Sequence, residues 1–144
     1  GGTKDFIWAL DHSNDSSASL FIHLKDFGDR LFDEKGIEFR AYNEIEENIA
    51  FPIGHTRQIN LIFKEAMTNA FKHSRATQVN LYFKKELSKL TIDLEDNGSG
   101  FTDEKLKLPS GGLTNMNVRA NRINAQLVVQ PHMPGTQINL IMEL

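Results

Sequence analysis

The chain has 144 residues, of which 40% are hydrophobic and 24% charged, with a formal net charge of −3 and no cysteine. Such a length suits one domain that buries roughly 68–70% of its unfolded surface, and no apolar run reaches the length of a membrane span. Without cysteine there is no disulfide frame, thiolate nucleophile or zinc–thiolate site, and mild acidity without a basic tract argues against nucleic acid.

Phe6–Leu10 opens the chain, and the polar cluster His12–Ser17 interrupts it, with Asp15 or Ser16 as the N-cap of the next element. Leu20, Leu24, Phe27 and Leu31 recur at helical spacing beside Phe21, with Gly36 as the stop. EFRAY then reads as a short strand, followed by an acidic, Pro- and Gly-containing loop to Gly54. A second long helix starts near His55 or Thr56 and runs to about Ser74. Two β patterns come after it, Gln78–Lys84 and Lys89–Asp96. A polar segment, Asn97–Gly112, leads into a helical stretch near Leu113–Asn124 and two last strands, Gln126–Gln130 and Thr136–Glu143. This order predicts an α/β fold, a two-layer α/β sandwich whose sheet is packed by helices on one face. Gly1-Gly2 looks like the remnant of a cleaved tag and no signal peptide is visible, so the chain reads as a piece of something larger.

Three places offer chemistry. On the second helix, with Glu65 as zero, Asn69 falls at roughly +40° and Lys72 at roughly −20°. The three share a polar stripe opposite Ile59, Ile62, Phe63, Ala66, Met67 and Ala70. Such a stripe is either a solvated face or a divalent-metal and phosphate site, in which Asn offers a neutral oxygen, Glu a proton acceptor and Lys a countercharge. EDNGSGF comes directly after the alternating run LTIDL. Asn97-Gly98 supplies the positive φ angles of a tight turn, but a turn gives no reason for the Asp96 carboxylate. Ser110-Gly111-Gly112-Leu113 precedes a helix, where free N–H groups and the helix dipole suit a phosphate, or where the glycines merely loosen a loop. No Walker, Rossmann or GxSxG motif is present. The histidines lack metal-ligand spacing, and His12 as a phosphoacceptor lies among helix breakers.

In order, IFKEAMTNAFKHS, LEDNGSGF, SGGLTNMNVRANRI and PGTQINL resemble the four boxes of the ATP-binding domain shared by histidine kinases, gyrase and MutL. Glu65–His73 is similar to the N box of sensor kinases paired with helix-turn-helix response regulators. The resemblance implies the Bergerat ATP-binding fold, a mixed, mostly antiparallel sheet with helices on one face. It implies residues 1–16 as the end of a dimerisation helix and linker, and 17–144 as the ATP-binding domain. It implies transfer of the γ-phosphoryl of Mg-ATP, with ATP and Mg²⁺ as cofactors. Asn69 matches the Mg²⁺ ligand and Glu65 the catalytic acidic residue; Lys72 and His73 match positions near the phosphates. Asp96 matches the carboxylate that accepts from the adenine amine, as an acceptor-only group can. Gly98 and Gly100 match glycines giving clearance for the base, and Thr136 a supporting hydroxyl. Residues 102–112 match the ATP lid, with Gly112 and Leu113 at its hinge.

The lid box of relatives begins Gly-x-Gly-Leu where this chain has Ser110-Gly111-Gly112-Leu113, and no box with a phosphoacceptor histidine is present. The partners implied are the kinase's own histidine-bearing dimerisation domain and a response regulator. The isolated domain is expected to be monomeric and unable to autophosphorylate, and the parent a membrane-bound homodimer with this domain in the cytoplasm. Two other readings stay open: a serine kinase of the same fold that restrains a sigma factor, and a non-enzymatic nucleotide-binding module.

Overall fold

The computed structural model describes residues 8, 10–99, 112–131 and 134–144. After a short 3-10 turn, His12–Asn14, helix α1 spans Ser17–Asp33, strand β1 Glu38–Asn43 and helix α2 His55–His73. Strands β2 (Gln78–Glu86) and β3 (Lys89–Asp96) form a hairpin, helix α3 covers Gly112–Arg122, and β4 (Gln126–Pro131) and β5 (Thr136–Glu143) complete the chain.

Local sequence explains the helix ends. Ser16 caps α1, its hydroxyl accepting from the Ser19 N–H at 3.3 Å. Gly36, at φ +65°, closes the other end: Gly36 N–H donates to the Asp33 carbonyl and Ile37 N–H to the Phe32 carbonyl, the paired bonds of a Schellman motif. Helix α3 ends alike, with Asn124 at φ +54° and Ala125 N–H donating to the Ala120 carbonyl. The carbonyl of Phe71, near the end of α2, accepts from Lys35 Nζ at 2.7 Å, a cation placed where the helix dipole favours it.

The five strands lie in the order β1-β2-β3-β5-β4, with β1 parallel to β2 and every other pair antiparallel. Helix α2 is the crossover between the two parallel strands, a connection that must leave the sheet and return. Register is fixed by apolar rows that meet each other: Leu81 pairs with Leu94 and Phe83 with Ile92, while Leu94, Ile92 and Leu90 pair with Ile138, Leu140 and Met142. All of these side chains are buried. A one-residue slip would turn them onto the other face, so the register is strongly specified.

Against these rows pack Ile59, Ile62, Phe63, Ala66, Met67 and Ala70 of α2, and Leu20, Leu24 and Phe32 of α1. Helix α1 comes close to β1 because Gly28 has no side chain: a β-carbon there would stand 2.4 Å from the Phe39 ring. The opposite sheet face is polar and cross-linked. Asn139 donates to the buried Asp93 carboxylate and accepts from Gln130 at 2.7 Å, while Asn80 and Tyr82 donate to Glu95 at 3.2 and 3.1 Å. Burial, then the Glu95 carboxylate, push the Tyr82 hydroxyl up to about 12, so it stays a donor.

Candidate functional site

The inward row of β3 runs Leu90, Ile92, Leu94 and then Asp96, so the last position of an apolar row carries a carboxylate. Asp96 is only 8% exposed. Its register partner on β5 is Thr136, equally at the end of an inward row and 4% exposed. Burying a carboxylate is costly unless it is hydrogen-bonded, and Asp96 Oδ1 accepts from the Gly98 N–H at 2.9 Å. Two glycines make this corner possible. Gly135, at φ +105°, approaches so closely that a β-carbon would lie 1.8 Å from the Asp96 carbonyl oxygen. A β-carbon on Gly98 would lie 2.0 Å from the Ser74 carbonyl oxygen.

The segment after Asp96 is therefore no free turn. Asn97 Oδ1 accepts from the backbone N–H groups of Thr77 and Gln78, both at 2.9 Å, and Ser99 N–H donates to the Ser74 carbonyl at 2.6 Å. Neither Asn97 nor Gly98 has a positive φ, which corrects the tight-turn expectation: Gly98 is required by contact with Ser74, not by backbone handedness. Ser74 comes directly after α2, so Asp96 and Gly98 are held at the C-terminal end of the helix that carries Asn69, Lys72 and His73.

Along α2 the polar stripe faces away from the core. Glu65 and Asn69 are half-buried and Lys72 and His73 exposed, while all six apolar residues of the opposite side are buried. Helix α3 packs on α2, starts at Gly112, and sets Leu113 against the core. One interhelical bond between them is Arg119 Nη1 to Gln58 Oε1 at 3.3 Å. Gly100 and residues 102–111 of the expected lid lie outside the described residues. Among the described residues no three His, Asp or Glu side chains converge on a metal position.

A polar recess of about 180 Å³, lined by Gln78, Asn80, Glu95, Asp96 and Asn97, opens beside the end of β3. It is below the roughly 300 Å³ at which small-molecule pockets begin. Sequence reasoning singled out Asp96 and Thr136, but it read Asn97 only as a turn residue and Ser74 only as a helix end and gave Gly135 no role of its own, although all three build the corner around them. The Pro-Gly dipeptide before Thr136 was the available signal for Gly135.

Residues 54–142 match the family described as histidine kinase-, DNA gyrase B-, and HSP90-like ATPases. The signal transduction histidine-protein kinase/phosphatase DegS of Brevibacillus brevis is 30% identical over 101 residues, covering 70% of this chain and 26% of DegS. The sensor histidine kinase LiaS of Bacillus subtilis is 32% identical over 109 residues, 72% of this chain and 30% of LiaS. The sensor protein VraS of Staphylococcus aureus is 31% identical over 136 residues, 85% of this chain and 39% of VraS. The chain thus spans well under half the length of these relatives. Among solved structures, the histidine kinase domain of the Erythrobacter litoralis EL346 blue-light activated kinase superposes with a TM-score of 0.74 at 19% identity, covering 87% of this chain and 61% of that one. The catalytic domain of histidine kinase ThkA gives 0.73 at 11% identity, covering 88% and 92%. These two likenesses carry the fold, an open five-stranded α/β sandwich. No helix among the described residues is long and apolar enough to cross a membrane. By its matched residues and by these relatives, the chain belongs to the histidine kinase-, DNA gyrase B-, and HSP90-like ATPase family, as an ATP-binding domain of the sensor-kinase type.

Proposed function

We propose that this domain presents Mg-ATP to a histidine on the dimerisation domain of a two-component sensor kinase, whose phosphoryl group then passes to a response regulator. The observation that carries the reading is the buried carboxylate of Asp96 at the end of an otherwise apolar row, pinned beside the C-terminal end of α2. An ionised Asp accepts hydrogen bonds and cannot donate, so Asp96 selects the 6-amino group of adenine and rejects the carbonyl of guanine. Thr136, its register partner, supports the same edge of the base.

From the adenine end the nucleotide extends along the α2 stripe. Asn69 would hold Mg²⁺ through its neutral side-chain oxygen, the ion supplying charge neutralisation at the phosphates, and Lys72 and His73 would add positive charge on the same side. The N-terminus of α3 at Gly112 and Leu113 offers backbone N–H groups to the same charge. Phosphoryl transfer is catalysed mostly by positioning and charge stabilisation, and these residues supply both. Glu65 takes up or polarises the proton of the attacking imidazole as the new N–P bond forms and ADP leaves.

Calorimetric titration tests the reading. Mg-ATP is expected to bind, GTP more weakly, and Asp96→Asn to weaken ATP at least about tenfold, a loss of about 1.4 kcal/mol. Unchanged ATP affinity in Asp96→Asn would overturn the adenine assignment.

A further inference from the structure

Helix α2 ends in a turn that also holds the corner around Asp96. Ser74 N–H and Oγ both donate to the Ala70 carbonyl, at 3.2 and 2.6 Å, and Oγ accepts from the Ala76 N–H at 3.1 Å. A hydroxyl donates once and accepts twice, so this one bridges the last helical turn to the chain that leaves it. Between the two, Arg75 stands at φ +57°, a conformation that side chains other than glycine disfavour and that the Ser74 bonds on either side hold in place. We propose that Ser74 is a positioning residue for base selection, its hydroxyl shaping the turn that aims the Asp96 carboxylate. The inference rests on the adenine reading and adds to it a residue outside the set assigned to the nucleotide.

The same turn grips the chain on both sides of Gly98. The Ser74 carbonyl accepts from Ser99 N–H at 2.6 Å and from Ser99 Oγ at 3.2 Å. Further along the turn, the Thr77 and Gln78 N–H groups donate to Asn97 Oδ1, and the Gln78 carbonyl accepts from the Asn97 N–H at 3.2 Å. Gly98 itself packs on Ser74, where a β-carbon would stand 2.7 Å from the Ser74 β-carbon. The Gly98 N–H fixed in this way is the group that donates to Asp96 Oδ1 at 2.9 Å. Ser74 and Ala76 are both buried, so removing the hydroxyl leaves the Ala76 N–H without that partner and away from water. An unpaired buried N–H is costly enough to reshape the turn, and the carboxylate moves with Gly98. Hydrogen bonds weaken steeply with misalignment, so such a shift is felt first in the choice between an amine and a carbonyl on the base.

Calorimetric titration of this chain with Mg-ATP and Mg-GTP, at temperatures where each variant is folded, tests the proposal. Ser74→Ala is expected to weaken ATP about fivefold or more while GTP changes by less than about twofold, so the preference for ATP narrows. A role confined to holding the helix end would leave both affinities of the folded variant at the parent's values. Because Ser74 acts through Asp96, adding Ser74→Ala to Asp96→Asn is expected to cost ATP no more than about twofold further. Ser99→Ala, which removes only the 3.2 Å contact, is expected to narrow the preference in the same direction by less, and it decides the matter if Ser74→Ala does not fold. Unchanged ATP affinity in Ser74→Ala, equal losses for ATP and GTP, or multiplicative losses in the double variant would each overturn the proposal, as would an unaltered preference in Ser99→Ala where that variant decides. A parent chain with no preference for ATP over GTP removes the adenine reading and this inference with it; a clear parental preference kept intact in Ser74→Ala removes the inference alone.

Discussion

Gly135 lies so close to Asp96 that a β-carbon on it would stand 1.8 Å from the Asp96 carbonyl oxygen and 2.9 Å from Oδ1. Its φ of +105° adds a second barrier to any side chain. Gly135→Ala is therefore expected to push β5 away from the end of β3, costing about 1–3 kcal/mol of stability and weakening ATP more than that loss explains. Thermal unfolding with and without Mg-ATP separates the two effects; a variant that melts and binds like the parent would contradict the close approach.

Asn97 ties the same corner to the start of β2. Its Oδ1 takes two backbone N–H groups and its Nδ2 donates to Thr77 Oγ1 at 2.9 Å. Asn97→Ala is expected to cost about 0.5–1.5 kcal/mol and to lower ATP affinity by loosening Asp96, whereas Asn97→Asp keeps the acceptor and loses less. Equilibrium denaturation of the two variants ranks them.

On the far sheet face the prediction is the reverse. The neutral amide of Asn139 donates to the buried Asp93, and the charged neighbour of that carboxylate, Lys84, is 3.6 Å away. Asn139→Leu leaves that carboxylate without its amide donor and is expected to cost about 1–3 kcal/mol. At temperatures where the variant is folded, ATP affinity should match the parent's, which calorimetry can check.

His55 opens α2, where burial holds its imidazole below the ordinary value near 6.5, partly offset by a bond to the Ile53 carbonyl. A base with a lowered folded pKa takes up its proton more readily in the unfolded chain. Its contribution is thus fully present above about pH 6.5 and is lost as pH falls below that value. The positive end of the α2 dipole acts in the same sense. The melting temperature should decline between about pH 6.5 and 5 more steeply in the parent than in His55→Gln; parallel profiles would exclude His55 as a contributor.

The sequence by itself determined the elements and their order. Helical spacing from Leu20 to Leu31, alternation in Lys89–Asp96 and Thr136–Glu143, the Ser16 cap and the Gly36 stop are short-range signals, set by contacts within a turn or a strand pair. The stripe of Glu65, Asn69 and Lys72 was legible for the same reason, since helix geometry alone fixes which side chains share a face. Tertiary structure decided what Gly98, Gly135 and Arg119 meet. Gly98 looked like a turn residue, but it is needed because Ser74, far earlier in the chain, ends its helix against it. Gly135 faces Asp96 only once β5 pairs with β3, and Arg119 meets Gln58, 61 positions away, only once α3 packs on α2. Close approach between distant segments leaves no periodic trace in either, so the shape of the corner around Asp96 had to come from the folded chain.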